Sequence, residues 1–115
     1  MKRGDVVIMD FPFKQGGAKV RPALVVQNDR DNARLSAVIV ALTTGNLRHI
    51  AEPTHLLIDP ASTEGAASGL HHPSLVNCTH LFTVNRTAIQ RTISRLSDAL
   101  MRNVGGCLRV ALQLP

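Results

Sequence analysis

Apolar positions in this chain come in short runs separated by dense turn formers, and most runs have the length and spacing of strands. Val6, Val7, Ile8 and Met9 form the first run, entered through Gly4-Asp5 and closed by Asp10-Phe11-Pro12. Residues 22–27 give a second strand, after which Asn28-Asp29-Arg30-Asp31-Asn32 should reverse the chain as a turn. The third strand, residues 36–44, is so nearly unbroken in apolar character that burial on both faces is expected. A polar loop over residues 45–52 follows, then a fourth strand over residues 53–59, with Pro53 at its start where a missing N–H costs least.

The second half is less regular. Residues 60–73 are rich in Ala, Ser and Gly and read as a long loop. Residues 74–78 and 81–83 give one interrupted strand or two short ones, and Ile89, Ile93 and Leu96 are scattered apolar anchors. The last element is a helix: Leu100, Met101, Val104, Leu108, Ala111 and Leu112 recur at helical spacing behind Ser97 as N-cap and Asp98 at the positive end of the dipole. Gly105-Gly106 in its middle costs about 1 kcal/mol per glycine relative to alanine. Close approach to another backbone would explain the pair. The sum predicts an α+β protein: a small, strongly bent antiparallel β-barrel with a C-terminal helix and short helical decoration, residues 1–115 forming one domain.

Composition narrows what such a barrel does. Among 115 residues there is no Trp or Tyr and only three Phe, so the core is aliphatic and an aromatic stacking platform for nucleic acid is not expected. A formal charge of +5 points to an anionic partner, and it is unevenly spread: residues 1–35 carry +3, residues 36–80 carry −2 and residues 81–115 carry +4. Ten of the thirteen basic residues are Arg, which favours forked phosphate contacts. Cys78 and Cys107 are too few for a disulfide scaffold and lack zinc-ligand spacing, so they are expected as reduced, buried thiols of a cytosolic protein. Asp5 and Asp10 interrupt any signal-peptide pattern, and the longest apolar run, Ala37 to Leu42, is six residues, so a soluble cytoplasmic protein without a membrane span is expected.

One stretch carries candidate chemistry. Gly16-Gly17-Ala18-Lys19-Val20-Arg21-Pro22-Ala23-Leu24-Val25-Val26 is a glycine-loosened basic loop running into a buried strand. Pro22 holds Arg21 extended, and the apolar run after it anchors the guanidinium at the strand's mouth as a phosphate receptor. Other chemistries find no support. His71 and His72 sit together in a loop without further metal ligands, and no carboxylate pair, phosphate-cradling glycine motif or nucleophile–His–acid set is present, so no metal and no cofactor is expected.

Four stretches carry a resemblance: Arg3-Gly4-Asp5-Val6, Arg21-Pro22-Ala23-Leu24-Val25-Val26-Gln27-Asn28-Asp29, Ile39-Val40-Ala41-Leu42-Thr43-Thr44 and Pro53-Thr54-His55-Leu56. In their order and spacing the chain resembles the MazF/PemK family of toxin endoribonucleases. Residues 74–78 and the final helix look like that family's remaining strand and helix. The resemblance implies an SH3-like barrel working as a homodimer, with single-stranded RNA in a groove along the dimer interface. It implies metal-independent cleavage that leaves a 2′,3′-cyclic phosphate and a 5′-hydroxyl, and a cognate MazE-like antitoxin whose acidic C-terminal tail lies across the basic groove. Arg21 falls on the family's catalytic arginine and Thr44 on its catalytic threonine. Thr43 is one step away, and a one-residue slip would exchange the faces of the two side chains.

Attack by a ribose 2′-hydroxyl needs a proton acceptor, a donor for the leaving 5′-oxygen and positive charge on the transition state. Arg21 supplies the charge, since its guanidinium is effectively always protonated. Thr44 orients a phosphate oxygen or the 2′-hydroxyl. Lys19, Asn46, Arg48 and His49 belong to the loops flanking the site and are expected to contact RNA, the polar ones reading exposed base edges. Thr79-His80 departs from the acidic or amide pair of several family members, placing an imidazole within reach of substrate, where it binds RNA or serves as acid or base. That departure keeps a second reading open, a non-catalytic RNA-binding or regulatory module on the same barrel. A third is a protein inhibitor of the gyrase-poison kind, which the similar fold of CcdB toxins permits.

Overall fold

The computed structural model describes residues 1–11 and 19–115; the expected glycine loop over residues 12–18 lies outside them. Six antiparallel strands form one sheet: β1 (Asp5–Phe11), β2 (Lys19–Val25), β3 (Ala37–Thr44), β4 (His55–Ile58), β5 (Ser74–Asn85) and β6 (Ile89–Arg95). Their order is β4-β5-β3-β2-β1-β6, so the ladder is strongly bent but stays open between β4 and β6. Two helices join it, α1 (Asp29–Arg34) and α2 (Asp98–Leu112), together with 3-10 turns over Ala66–Ser68 and Arg86–Ala88.

Because successive strand residues point to opposite faces, β1, β2 and β3 feed two separate cores. One holds Val6, Leu24, Ala41, Ile58, Val76 and Cys78, roofed by Leu96, Leu100, Val104 and Cys107 at and beyond the start of α2. Val6, Leu24 and Ala41 are direct cross-strand partners and form its floor. The other core alternates with it: Val7, Met9, Phe11, Ala23, Val25, Val38 and Val40, bordered by Leu42, Phe82, Val84 and Ile89. Among the described residues neither α-helix contributes to this second core, against which Ala88 of a 3-10 turn packs.

Local chemistry explains the element ends. Gly4 has φ of 96°, a left-handed conformation that glycine adopts without penalty, and it ties two elements together by donating to the Val25 carbonyl and accepting from Leu96 N–H. Asp5, 5 % exposed, then accepts from Arg95 Nε and from the Lys2 N–H at 2.9 Å each, locking the β1–β6 edge. Ser97 caps α2 as expected, accepting from Leu100 N–H at 3.2 Å. Both cysteines are buried: burial first, and Cys107 second, push the Cys78 thiol up to about 12, and burial raises Cys107 as well.

Several expectations change. The Asn28–Asn32 cluster reverses the chain, but through helix α1 rather than a turn: Asn28 Oδ1 accepts from Asp31 N–H at 2.9 Å, and Asp29 and Asp31 sit in the first turn with Arg34 in the last. The third strand is not buried throughout, since Ile39 is 37 % exposed. Residues 74–85 are one strand whose pairing to β3 is interrupted, and the scattered anchors after it belong to β6, which pairs with β1 through two register shifts.

The glycines divide sharply. A Cβ at Gly65 would fall inside the Asp59 carbonyl, in a loop drawn tight by Ser62 Oγ, which donates to Asp59 O and accepts from Gly65 N–H. At Gly105 and Gly106 a Cβ meets nothing within 4 Å, so the close backbone approach expected there is absent from this chain among the described residues. Gly65→Ala is therefore expected to destabilise by about 1–3 kcal/mol through overpacking. Gly106→Ala is expected to stabilise by up to about 1 kcal/mol. Urea titrations of both variants check the pair, and a loss at Gly106→Ala would reveal a second chain packed on that face.

Candidate nucleic-acid cleft

Arg21 shares its strand face with Ala23 and Val25, so it stands at the open end of the second core. There the described residues line a cleft of about 640 Å³: Arg21, Leu42 and Thr44 from β2 and β3, Asn46 and His49 from the β3–β4 loop, His55 from β4, and Asn77, His80 and Phe82 from β5. His55, Asn77, Leu42 and Ala23 are successive cross-strand partners, so the floor is one rung of the ladder. Among the described residues no hydrogen bond or ion pair engages the Arg21 guanidinium, and none of the lining side chains is a carboxylate.

Strand alternation separates the two threonines. Thr44 lines the cleft, and its Oγ1 accepts from the Asn46 N–H at 3.1 Å, a turn that starts the following loop. Thr43, the second threonine of the expected RNA-contacting set, lies on the Ala41 face, is 2 % exposed and is not among the described residues lining the cleft. Asn46 accepts in turn from the Arg48 N–H at 3.0 Å, which keeps the loop compact. Arg48 is exposed but outside the cleft lining, and the Lys19 side chain lies outside the described residues.

His80 reaches the cleft because of a bulge. Ala41 pairs with Leu81 but the next β3 residue, Leu42, pairs with Asn77, so Cys78, Thr79 and His80 have no partner on β3. Asn77 pins the excursion by accepting from the Thr79 N–H at 2.9 Å and from Thr79 Oγ1 at 2.6 Å, while Cys78 N–H donates to Thr54 O. Asn77, His55 and Phe82 are site residues that sequence reasoning did not single out. The Asn77-Cys78-Thr79 triplet carried a signal for the first of them, since Asn followed two places on by Thr is a side-chain-to-backbone turn signature.

Among the described residues the titratable groups lining the cleft, other than arginine, are the imidazoles of His49, His55 and His80. His49 and His55 have ring centroids 5.6 Å apart. Burial, then the neighbouring His49 charge, lower His55 from the ordinary 6.5, against a smaller opposing pull from Glu52. In the unfolded chain this imidazole takes up its proton near 6.5 while the folded chain resists it, so His55 makes stability fall as pH drops from above 6.5 into the depressed range. The thermal midpoint of a His55→Gln chain is accordingly expected to fall less than that of the parent between pH 7.5 and pH 5.5. Equal falls would refute the linkage.

Comparison with known proteins covers almost the whole chain. Residues 2–112 match the family model described as the PemK-like, MazF-like toxin of type II toxin-antitoxin system. The chain is 32% identical over 118 residues to endoribonuclease EndoA of Bacillus subtilis, covering 99% of this chain and 96% of that protein. It is 29% identical over 116 residues to endoribonuclease MazF of Staphylococcus saprophyticus, covering 99% and 92%. A solved mycobacterial endoribonuclease in complex with its cognate antitoxin shares the fold with a TM-score of 0.80 at 22% identity, covering 100% of this chain and 97% of that one. The chain therefore belongs to the PemK-like, MazF-like toxins of type II toxin-antitoxin systems.

Proposed function

We propose that this protein is a sequence-specific endoribonuclease toxin that cuts single-stranded RNA by 2′-hydroxyl attack, leaving a 2′,3′-cyclic phosphate and a 5′-hydroxyl. The observation that carries the proposal is that Arg21, whose guanidinium no described residue engages, shares one cleft with Thr44. In that position Arg21 clamps the scissile phosphate and offsets the charge that builds in the transition state. Thr44 holds a phosphate oxygen or the attacking hydroxyl. Asn46, with His49 beside it, meets the flanking bases. The name EndoA or MazF endoribonuclease on relatives spanning nearly the full chain supports the same activity.

The partner is a cognate antitoxin whose acidic tail competes with RNA for the basic surface, and the working form is a cytoplasmic homodimer. Incubating purified protein with a long unstructured RNA in EDTA, then mapping cuts and 3′-ends, tests the activity. Discrete cuts ending in cyclic phosphate are expected. Intact RNA bound by a folded protein would replace the nuclease with the binding-module reading, which the lack of a carboxylate among the described residues lining the cleft favours.

A further inference from the structure

We infer that Asn77 holds His80 in the tautomer protonated at Nε2, making His80 a fixed hydrogen-bond donor to the RNA phosphate held by Arg21; its role in cleavage rests on the nuclease reading above. The Asn77 side chain is 8 % exposed and has no rotational choice. Its Oδ1 accepts from the Thr79 N–H at 2.9 Å and from Thr79 Oγ1 at 2.6 Å. A backbone N–H can only donate, so the amide oxygen must face Thr79 and Nδ2 must face away. Nδ2 lies 3.1 Å from His80 Nδ1. An amide nitrogen only donates as well, so Nδ1 must present its lone pair and the ring proton resides on Nε2.

With Nδ1 occupied, Nε2 is the ring nitrogen left for a ligand, and His80 lines the Arg21 cleft. A neutral Nε2–H donor in the same cleft as a guanidinium lets the site bind a phosphate oxygen without any change of protonation. Asn77 is thus a positioning residue and His80 the group that touches substrate.

Asn77→Asp makes the idea sharp. A carboxylate of the same shape still accepts from Thr79 but sets an acceptor against Nδ1, so the neutral ring carries its proton on Nδ1 and leaves Nε2 bare. Only the imidazolium then offers Nε2–H. Cutting by Asn77→Asp should therefore decline as pH rises through imidazole titration, a decline the parent does not share. Among the described residues the other charged and titratable groups around the cleft are Arg21 on β2, His49 and Glu52 of the β3–β4 loop and His55 on β4. Because the new carboxylate also acts on His55, its cross-strand partner, the His80 variants separate the 77–80 pair from that second effect.

The experiment combines ring-nitrogen NMR of the RNA-free protein with RNA cutting by the parent, Asn77→Asp, His80→Gln and His80→Phe. An Nε2–H signature for His80, the altered pH profile and a roughly tenfold or greater advantage of His80→Gln, which keeps an N–H donor, over His80→Phe are expected. A proton found on Nδ1, parallel pH profiles or equal activity of the two exposed-site His80 variants would each overturn the inference. The His80 variants decide it even where Asn77→Asp does not fold. A parent that cuts no RNA would overturn the nuclease and the cleavage role of His80 together, while the NMR signature, needing no RNA, separately confirms or refutes the tautomer lock.

Discussion

Arg21→Ala is expected to reduce RNA cutting by about 10²–10³-fold or more, with the thermal midpoint almost unchanged. Both halves follow from where the residue stands. Its backbone belongs to β2, paired to Met9 of β1, but its side chain sits at the mouth of the core with no hydrogen bond or ion pair among the described residues, so removing it leaves no buried partner unsatisfied. What is lost is the one permanent positive charge among the described residues lining the cleft, which no imidazole there replaces with equal geometry. Arg21→Lys should recover only part of the activity, because a point charge cannot make the forked contact. Cleavage assays beside thermal melts check the prediction; cutting at the parental rate, or an unfolded variant, would remove Arg21 from the site.

Leu24→Ala should cost about 2–5 kcal/mol of stability. Leu24 is 1 % exposed and lies at the centre of the Val6–Leu24–Ala41 rung under α2. Neighbouring strands fix the floor on both sides, so the vacated volume cannot collapse cheaply. Against a typical total of roughly 5–15 kcal/mol, that loss removes a large share of the folding free energy. Chemical denaturation reads it directly, and a change below 1 kcal/mol would mean that α2 re-seats itself on the smaller side chain.

The first four strands were legible as short apolar runs bounded by turn formers, and the last helix by its helical spacing behind a Ser cap. The β6 strand was not. It is an edge whose outward positions are polar, and its two register shifts break the alternation on which such a reading depends. Helix α1 was hidden by its own composition, since a run of Asn and Asp signals a turn as strongly as it signals a helix start.

In the site, Arg21 stood out from its own stretch of sequence, while Thr44 came only from the family resemblance, which also implied the roles of both. The face of Thr44 against Thr43 needed the register of β3, which only its pairing with β2 and β5 provides. Asn77 escaped notice because its importance comes from three hydrogen bonds made around a bulge, and a bulge leaves almost no trace in a hydrophobic pattern.

The three residues that β5 leaves unpaired with β3 have an evolutionary consequence. Cys78 packs into the core, but Thr79 and His80 are exposed and free of the ladder's register. Exchanging His80 alters what the cleft shows to a substrate without sliding a strand or disturbing the helix-covered face. A fold built this way can vary that one displayed group while the strand register beneath it stays the same.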